Sequence, residues 1–364
     1  EASKLVTNFV EQVKAPATMT LMGLGVLAAS NKYSLGMLGM HGMYEANMAM
    51  HDCDLLINIG ARFDDRVTGR LDAFSPNSKK IHIDIDASNI NKTIKIDVPI
   101  IGDIHSVMTQ IFNSWKKNKY SSKGEDLKNW WNKIDEWKKT ECLSYIQGKE
   151  TIKPQHAVQR LYDLTKDHKT FITTEVGQHQ MWAAQYYRFE EPNRWLTSGG
   201  LGTMGYGFPA AIGAQIANPD ALVIDIAGDA SILMNIQEMS TAVQHRLPVK
   251  IFILNNEYMG MVRQWQELLH GGRYSESYTD SLPDFVKLAE SFNAEGLRAR
   301  NVAELDNVIN RMIKSDKTVI ADIWVDKEEN CFPMIQSGSA HNEMLLNKYQ
   351  KQDQQSAEKG KVLV

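Results

Sequence analysis

Two strand-sized apolar runs, 222–227 and 249–254, constrain this chain more than any other feature. The first stops on Gly228-Asp229-Ala230 and the second on Asn255-Asn256, with a helical stretch between them. Strand, helix and strand in that order make one βαβ unit with parallel strands. Both strands then finish at the same edge of the sheet, outside which such sheets hold ligands. Asp229 and Asn256, 27 positions apart, are thereby expected side by side. One offers a carboxylate and the other an amide oxygen. Hard oxygen donors suit Mg²⁺, which keeps octahedral geometry and completes its shell with phosphate and water. A helix starting near Ser231 is expected to turn its positive end to the same place. The arrangement calls for a diphosphate bridged by Mg²⁺. A strand-end Asp capping a helix, or an Asn-Asn turn, is the plainer explanation of either motif alone. Both motifs across one βαβ unit outweigh it.

The same alternation continues on either side. The first half reads as a strand at 18–22 running into Gly23-Leu24-Gly25, a helix at 44–51, and a short buried parallel strand at 54–59 ending in Gly60. A strand at 80–85 and a closing helix at 104–115 follow. A second series runs helix 156–164, strand 170–174, helix 208–216, strand 221–227, helix 235–244, strand 249–254, helices 283–292 and 302–313, and strand 319–325. The expected class is α/β, with two doubly wound parallel-sheet domains. The 364 residues suit that number. The expected divisions are 1–115, a linker and connecting helix at 116–150, 151–332, and a tail at 333–364. The polar end of that tail, 348–361, reads as mobile or ordered by a partner. The connecting helix is expected over 125–145, with Leu127, Trp131, Ile134 and Trp137 on one face. Packing explains Trp130, Trp131 and Trp137 better than a ligand box. An α/β domain usually opens with a strand, whereas 3–13 already reads as an amphipathic helix. The expectation is a piece of a longer polypeptide whose first domain is incomplete, rather than a processed mature protein.

Charge and composition narrow the partners. Net charge is −4 and no long basic run occurs, which argues against nucleic acid. The longest apolar runs are too short to span a bilayer. Cys53, Cys142 and Cys331 are odd in number and far apart, which points to a reducing compartment and against a disulfide frame or zinc cluster.

The paired motif resembles the signature of thiamine-diphosphate enzymes, which more often has Gly where this chain has Ala230. Further segments resemble the catalytic subunits of the acetolactate (acetohydroxyacid) synthase family: 177–182 (Gly-Gln-His-Gln-Met-Trp), 198–205 (Ser-Gly-Gly-Leu-Gly-Thr-Met-Gly), 256–265 (Asn-Glu-Tyr-Met-Gly-Met-Val-Arg-Gln-Trp), 37–42 and 62–69. The likeness extends from about Thr18 to Gly338. It implies a flavin-binding central domain followed by a thiamine-diphosphate domain, with thiamine diphosphate, Mg²⁺ and FAD as cofactors. By resemblance, Gln178 and His179 contact the diphosphate, and Gly202 and Met204 hold the aminopyrimidine. Thr203, Ala230, Ser231, Met259, Gly260 and Met261 complete that site. Asp229 and Asn256 ligate the metal through side chains, and Tyr258 does so through its carbonyl. Leu38, Gly39, Met40, His41, Gly60, Ala61, Arg62, Phe63, Asp64, Asp84, Ile85 and Asp103 line the flavin site. Arg66 and Trp265 reach the substrate pocket.

The implied reaction decarboxylates pyruvate and joins the two-carbon unit to pyruvate or 2-ketobutyrate, a step of branched-chain amino-acid biosynthesis. The cofactor-ionising glutamate of this family lies on a preceding domain, so no catalytic acid or base is assigned here and Glu175 and Glu257 are left without a task. The chain alone is expected to be inactive. The resemblance also implies a homodimer or homotetramer with its active site between subunits, a small regulatory subunit, and a bacterial cytoplasmic or eukaryotic organellar setting. Alternatives are a pyruvate oxidase, a ketoacid decarboxylase, or an assembly fragment without activity. Residues 200–205 also fit the dinucleotide pattern G-x-G-x-x-G, which keeps a nicotinamide-dependent dehydrogenase as runner-up. That reading lacks a convincing strand before Gly200 and leaves Asp229 and Asn256 unexplained. His51, Met37, Met43, Met48 and Met50 read as ordinary packing residues, and Arg66 has a competing structural role as partner of Asp64 or Asp65.

Overall fold

The computed structural model describes residues 1–120 and 124–347, so the expectation for 348–361 lies outside the described residues. Two compact units form. The first holds Glu1–Ser144, Glu190–Pro192 and 332–347, and the second holds Tyr145–Phe189 and Asn193–Cys331. The first thus takes in the helix expected as a connector.

In the first unit, α1 (Ala2–Val13) leads to β1 (Ala17–Met19), which pairs in parallel with β2 (Ser34–Met37). Next come α2 (Tyr44–Asp52), β3 (Leu55–Ile59), the short α3 (Asp65–Thr68), β4 (Lys79–Asp84) and β5 (Val98–Ile101). Strands β3, β4 and β5 form a parallel sheet in that order. Asp103 caps α4 (Ile104–Lys117), its carboxylate accepting from the Ser106 N–H at 3.0 Å. The last helix is α5 (Glu125–Lys138). Ile59, Ile81, Ile83 and Ile100 pack on α1 and α4 through Phe9, Val107 and Met108. Leu56 faces a second cluster around Met50, Phe63 and Phe74.

Two expectations change here. Strand β3 is parallel, but it is not buried throughout: Leu55 is 47% and Ile57 36% exposed, because the α1/α4 layer reaches only Ile59. Helix α5 stops at Lys138 rather than 145. Thr140 folds back onto the Trp137 carbonyl and Glu141 takes a left-handed φ of 45°. Trp130, Trp131 and Trp137 pack around Ile134 with Leu35, Ala46 and Ala49, so they serve as core.

The second unit begins with α6 (Pro154–Thr165), whose proline occupies the first turn, where a missing N–H costs nothing. It continues through β6 (Thr170–Thr174), α7 (Gln178–Tyr186), β7 (Trp195–Thr197), α8 (Gly207–Ala217), β8 (Leu222–Gly228), α9 (Met239–Gln244) and β9 (Lys250–Asn255). The remaining elements are α10 (Gly260–Leu269), α11 (Phe285–Ser291), β10 (Glu295–Ala299), α12 (Val302–Lys314) and β11 (Val319–Trp324). Among the described residues the strands make one parallel six-stranded sheet in the order β10-β11-β9-β8-β6-β7. One face, carrying Val223, Ala227, Ile251, Ile253 and Ile320, packs on Phe208 and Ala211 of α8 and on Phe285 and Ala289 of α11. Helix α7 lies against β8, α12 against β10 and β11, and α6 against both helices. Runs such as Lys250–Asn255 are buried at every position, as expected of a sheet covered on both sides.

The stretch expected as a helix over 235–244 is divided. Ile232–Glu238 is a 3₁₀ segment interrupted at Asn235 (φ −135°, ψ 31°), and only then does α9 begin. The Asn235 side chain is drawn away to donate to the Gly205 carbonyl at 2.6 Å. The positive helix end expected at Ser231 is therefore not an α-helical terminus. The run before Gly200, judged too short and polar for a strand, does form one: β7 pairs with β6 at the sheet edge, with Trp195 and Thr197 buried.

Candidate active site

Strands β8 and β9 are direct neighbours, Gly228 opposite Leu254, so Asp229 and Asn256 leave the same edge of the sheet. Both are buried, Asp229 to 1% exposure. One Asp229 oxygen accepts from the Ala230 N–H at 2.7 Å, while Oδ2 has no hydrogen-bond partner. Burial pushes its carboxyl up to about 7, against the pull of the Ala230 and Glu257 N–H groups. A buried carboxylate oxygen without a donor is costly unless a cation meets it. Asn256 Oδ1 accepts from the Tyr258 N–H at 3.2 Å and its Nδ2 donates to Gln178 Oε1 at 3.3 Å. This fixes the turn through Glu257, whose φ is 56°.

Gln178, at the start of α7, is held in place. Its Nε2 donates to Gln264 Oε1 at 2.9 Å and to the Glu329 carbonyl at 3.0 Å. His179 beside it is buried, its Nε2 has no partner, and desolvation lowers its pKa to about 3. It is a neutral imidazole. A cavity joins these groups. Its walls are Gln178, His179, Met204, Asp229, Ala230, Ser231, Asn256, Tyr258, Met259, Gly260 and Met261. Gly202 and Thr203, expected in the same site, do not line it; Gly202 has φ 67°.

A Cβ on Gly228 would lie 2.7 Å from His179 Nδ1, and one on Gly260 2.0 Å from Gln178 Oε1. Bare backbone at both places leaves room for His179 and Gln178 themselves to pack close and line the cavity. Asp229 and His179, each with an orphaned polar atom, line one cavity together with Asn256, so the residues fit a metal-bridged diphosphate.

Sequence reasoning missed Val176, Gly177, Trp182, Gly228, Leu254 and Val262, which also line the cavity. Trp182 was legible, since it stands four residues after Gln178, on the same face of α7. Trp265 is half-buried on α10 and does not line the cavity.

Glu175, left without a task, has a structural one. Its buried carboxylate accepts from the N–H of Gly205 and from that of Phe208 at 3.0 Å, and the neighbouring Tyr206 and Gly207 N–H groups also oppose the upward push of burial on its pKa. It therefore fills the N-terminus of α8. That terminus offers nothing to a pyrophosphate, which removes the dinucleotide reading of 200–205 despite the strand before it. Behind it, Asp225 takes a hydrogen bond from Thr173 at 3.0 Å, and burial with Glu175 nearby raises its pKa well above the ordinary range. Glu175→Gln replaces charge-assisted bonds, worth about 1.5–3 kcal/mol, with one weaker acceptor. A fall of several degrees in the thermal midpoint of the cofactor-free protein is expected, and an unchanged midpoint would contradict the assignment.

In the first unit, Gly60, Ala61, Arg62, Phe63, Asp64, Asp84, Ile85 and Asp103 gather at the carboxyl ends of β3, β4 and β5. Asn58 and His82 both bind the Ala61 carbonyl, at 2.6 and 2.9 Å, and so shape this loop. Asp84 is buried and already accepts from the Asp86 N–H and from Asn89, while Asp103 caps α4. Ile85, 71% exposed, offers an apolar surface beside them. Leu38, Gly39, Met40 and His41 follow β2. Met40 donates to the Arg66 carbonyl at 2.8 Å, and His41 Nδ1 meets the Pro333 carbonyl at 3.0 Å. The Arg66 side chain is exposed and pairs with Asp65 at 2.9 Å, a contact of little energetic weight. The loop fits a ligand that meets backbone and apolar surface, while its carboxylates are largely spent on their own chain.

Comparison with known proteins agrees with this architecture. The family description "Thiamine pyrophosphate enzyme, central domain" matches residues 1–111, and "Thiamine pyrophosphate enzyme, C-terminal TPP binding domain" matches 175–323. The chain belongs to the thiamine pyrophosphate enzymes. Within them it is similar to proteins named acetolactate synthase large subunit. It is 45% identical over 353 residues to that of Haemophilus influenzae, covering 97% of this chain and 61% of the relative. It is 48% identical over 350 residues to that of Buchnera aphidicola subsp. Schizaphis graminum, covering 95% and 61%. The isozyme 3 large subunit of Escherichia coli is 44% identical over 345 residues, covering 94% and 60%. The chain spans about three fifths of the length of these relatives. No helix among the described residues is long and apolar enough to cross a membrane.

Proposed function

We propose that this chain is part of an acetolactate synthase large subunit, which decarboxylates pyruvate and ligates the two-carbon unit to pyruvate or 2-ketobutyrate. The observation that carries the reading is the orphaned, buried Asp229 carboxylate facing Asn256 across the ends of β8 and β9. Asp229, Asn256 and the Tyr258 carbonyl hold Mg²⁺, and Gln178 and His179 meet the diphosphate. Met204 supports the aminopyrimidine from the cavity wall. Thiamine diphosphate supplies the carbanion chemistry when bound, and the chain's own residues bind, orient and exclude water. His179, neutral and desolvated, acts as a hydrogen-bonding wall rather than a charge. The loops after β2, β3 and β4 take FAD. The intact protein works as a homodimer or homotetramer with the active site between subunits, and with a small regulatory subunit, which the relatives' name "large subunit" supports. It resides in a bacterial cytoplasm, or in an organelle if the source is eukaryotic.

The test is product analysis of the intact protein with pyruvate, thiamine diphosphate, Mg²⁺ and FAD. Acetolactate supports the reading. Acetaldehyde or acetyl phosphate points instead to a sister decarboxylase or oxidase.

Trp265 on α10 is proposed to shape the second-substrate pocket. One methylene of apolar contact is worth about 1–3 kcal/mol. Trp265→Leu should lower the preference for 2-ketobutyrate over pyruvate by about tenfold or more, while pyruvate self-condensation survives. Competition between the two ketoacids reads the product ratio. An unchanged ratio, with activity and stability falling together, assigns Trp265 to packing.

A further inference from the structure

The turn that carries two of the three proposed metal ligands is tied to a buried ion-pair network on neighbouring strands. Asn255, the last residue of β9, donates from Nδ2 to Asp322 Oδ1 at 2.9 Å, and its own Oδ1 accepts from the Glu257 N–H at 3.3 Å. Asp322 lies on the adjacent strand β11 and is 1% exposed. Its other oxygen accepts from Arg298 Nε at 2.8 Å and from Trp324 Nε1 at 3.1 Å. Arg298 stands directly opposite Asp322 on β10. It also reaches Asp284, the cap of α11, at 2.6 Å, and lies over the Trp324 ring. A continuous series of contacts thus runs from Arg298 through Asp322 and Asn255 to the turn between Asn256 and Tyr258.

We propose that Asp322, braced by Arg298, is a positioning residue for the metal site. It fixes the turn so that the Asn256 amide and the Tyr258 carbonyl face Asp229. The inference rests on the reading of Asp229, Asn256 and Tyr258 as metal ligands. A carboxylate suits the task because it can take the Asn255 amide on one oxygen and Arg298 with Trp324 on the other. Its charge is balanced in place by the guanidinium, in the planar geometry arginine offers. Three adjacent strands supply the parts, so the turn inherits the rigidity of the sheet rather than that of a loop.

Ion selectivity distinguishes positioning from mere stabilisation. Mg²⁺ demands near-ideal octahedral geometry, whereas Ca²⁺ tolerates irregular sites. A loosened turn therefore loses Mg²⁺ more than Ca²⁺, while general destabilisation weakens both alike. The experiment is calorimetric titration of the intact protein, at saturating thiamine diphosphate, with Mg²⁺ and separately with Ca²⁺. Asp322→Ala is expected to lower the Mg²⁺-to-Ca²⁺ affinity ratio by about tenfold, in the range seen when residues behind metal ligands are removed. Asp322→Asn, which keeps the Asn255 contact, should fall between it and the parent. Asn255→Ala breaks the same series without exposing Arg298, and serves if Asp322→Ala does not fold. An unchanged ratio in these variants, or an equal loss of both ions with a lowered thermal midpoint, overturns the proposal. Failure of the parent protein itself to bind either ion with thiamine diphosphate overturns the metal reading instead.

Discussion

In the intact protein, Asp229→Ala is expected to weaken thiamine diphosphate binding about 10³-fold at fixed Mg²⁺. The substitution removes the one anionic side chain among the proposed ligands and leaves the diphosphate charge poorly compensated. A thousandfold loss corresponds to about 4 kcal/mol. That is plausible for a direct charged ligand, since residues standing behind such ligands already cost about 10- to 100-fold. The folded protein without cofactor should behave differently. There Asp229 is a desolvated carboxyl with one oxygen unmatched, which burdens the fold rather than supports it. The variant should therefore melt at the same temperature as the parent, or higher, when cofactor-free. It should lose most of the stabilisation that cofactor and Mg²⁺ give the parent. Calorimetry and thermal melting read the two halves separately. Unchanged cofactor affinity would remove Asp229 from the metal site.

The parts of this site that were legible in the sequence are those that backbone topology dictates. Two apolar runs ending in Gly-Asp and Asn-Asn suffice to place Asp229 and Asn256 together, because parallel strands joined by a crossover end at one edge. Strand β6 was equally plain, since four of its five residues are β-branched. Short edge elements were not. β5 begins Val98-Pro99 and β7 is three residues long, so neither carries enough pattern to stand out against turn chemistry. Helix α7 was hidden because almost every side chain on it is buried, which erases the polar face that periodicity relies on. The break at Asn235 and the role of Glu175 both depend on the Gly205 backbone, 30 residues away from each. No local pattern reports such contacts. Arg66 and Trp265 were reached only by resemblance, and the fold leaves one exposed beside Asp65 and the other outside the cavity wall.

Gly260→Ala is expected to abolish tight cofactor binding while leaving the fold intact. Gly260 opens α10 with an ordinary helical backbone, so alanine is no strain there and even favours the helix by about 1 kcal/mol. The obstacle is the space. The added carbon would lie 2.0 Å from Gln178 Oε1 and 2.8 Å from Asn256 Nδ2. A flexible side chain could ordinarily swing aside, but Gln178 is buried and held at its Nε2 by Gln264 and the Glu329 carbonyl. Moving it surrenders those bonds and the one from Asn256, at about 1 kcal/mol each. Leaving it in place forces overpacking, at about 1–3 kcal/mol. Either route disturbs the proposed diphosphate contact and a proposed metal ligand together. A loss of about 4 kcal/mol, or roughly 10³-fold in thiamine diphosphate affinity, follows. The cofactor-free variant should keep the parent's far-ultraviolet circular dichroism but melt several degrees below it, since the lost bonds or the overpacking weigh on the fold before any cofactor binds. Retained affinity would mean that Gln178 moves freely, and that the cavity between α7 and α10 is not where the diphosphate lies.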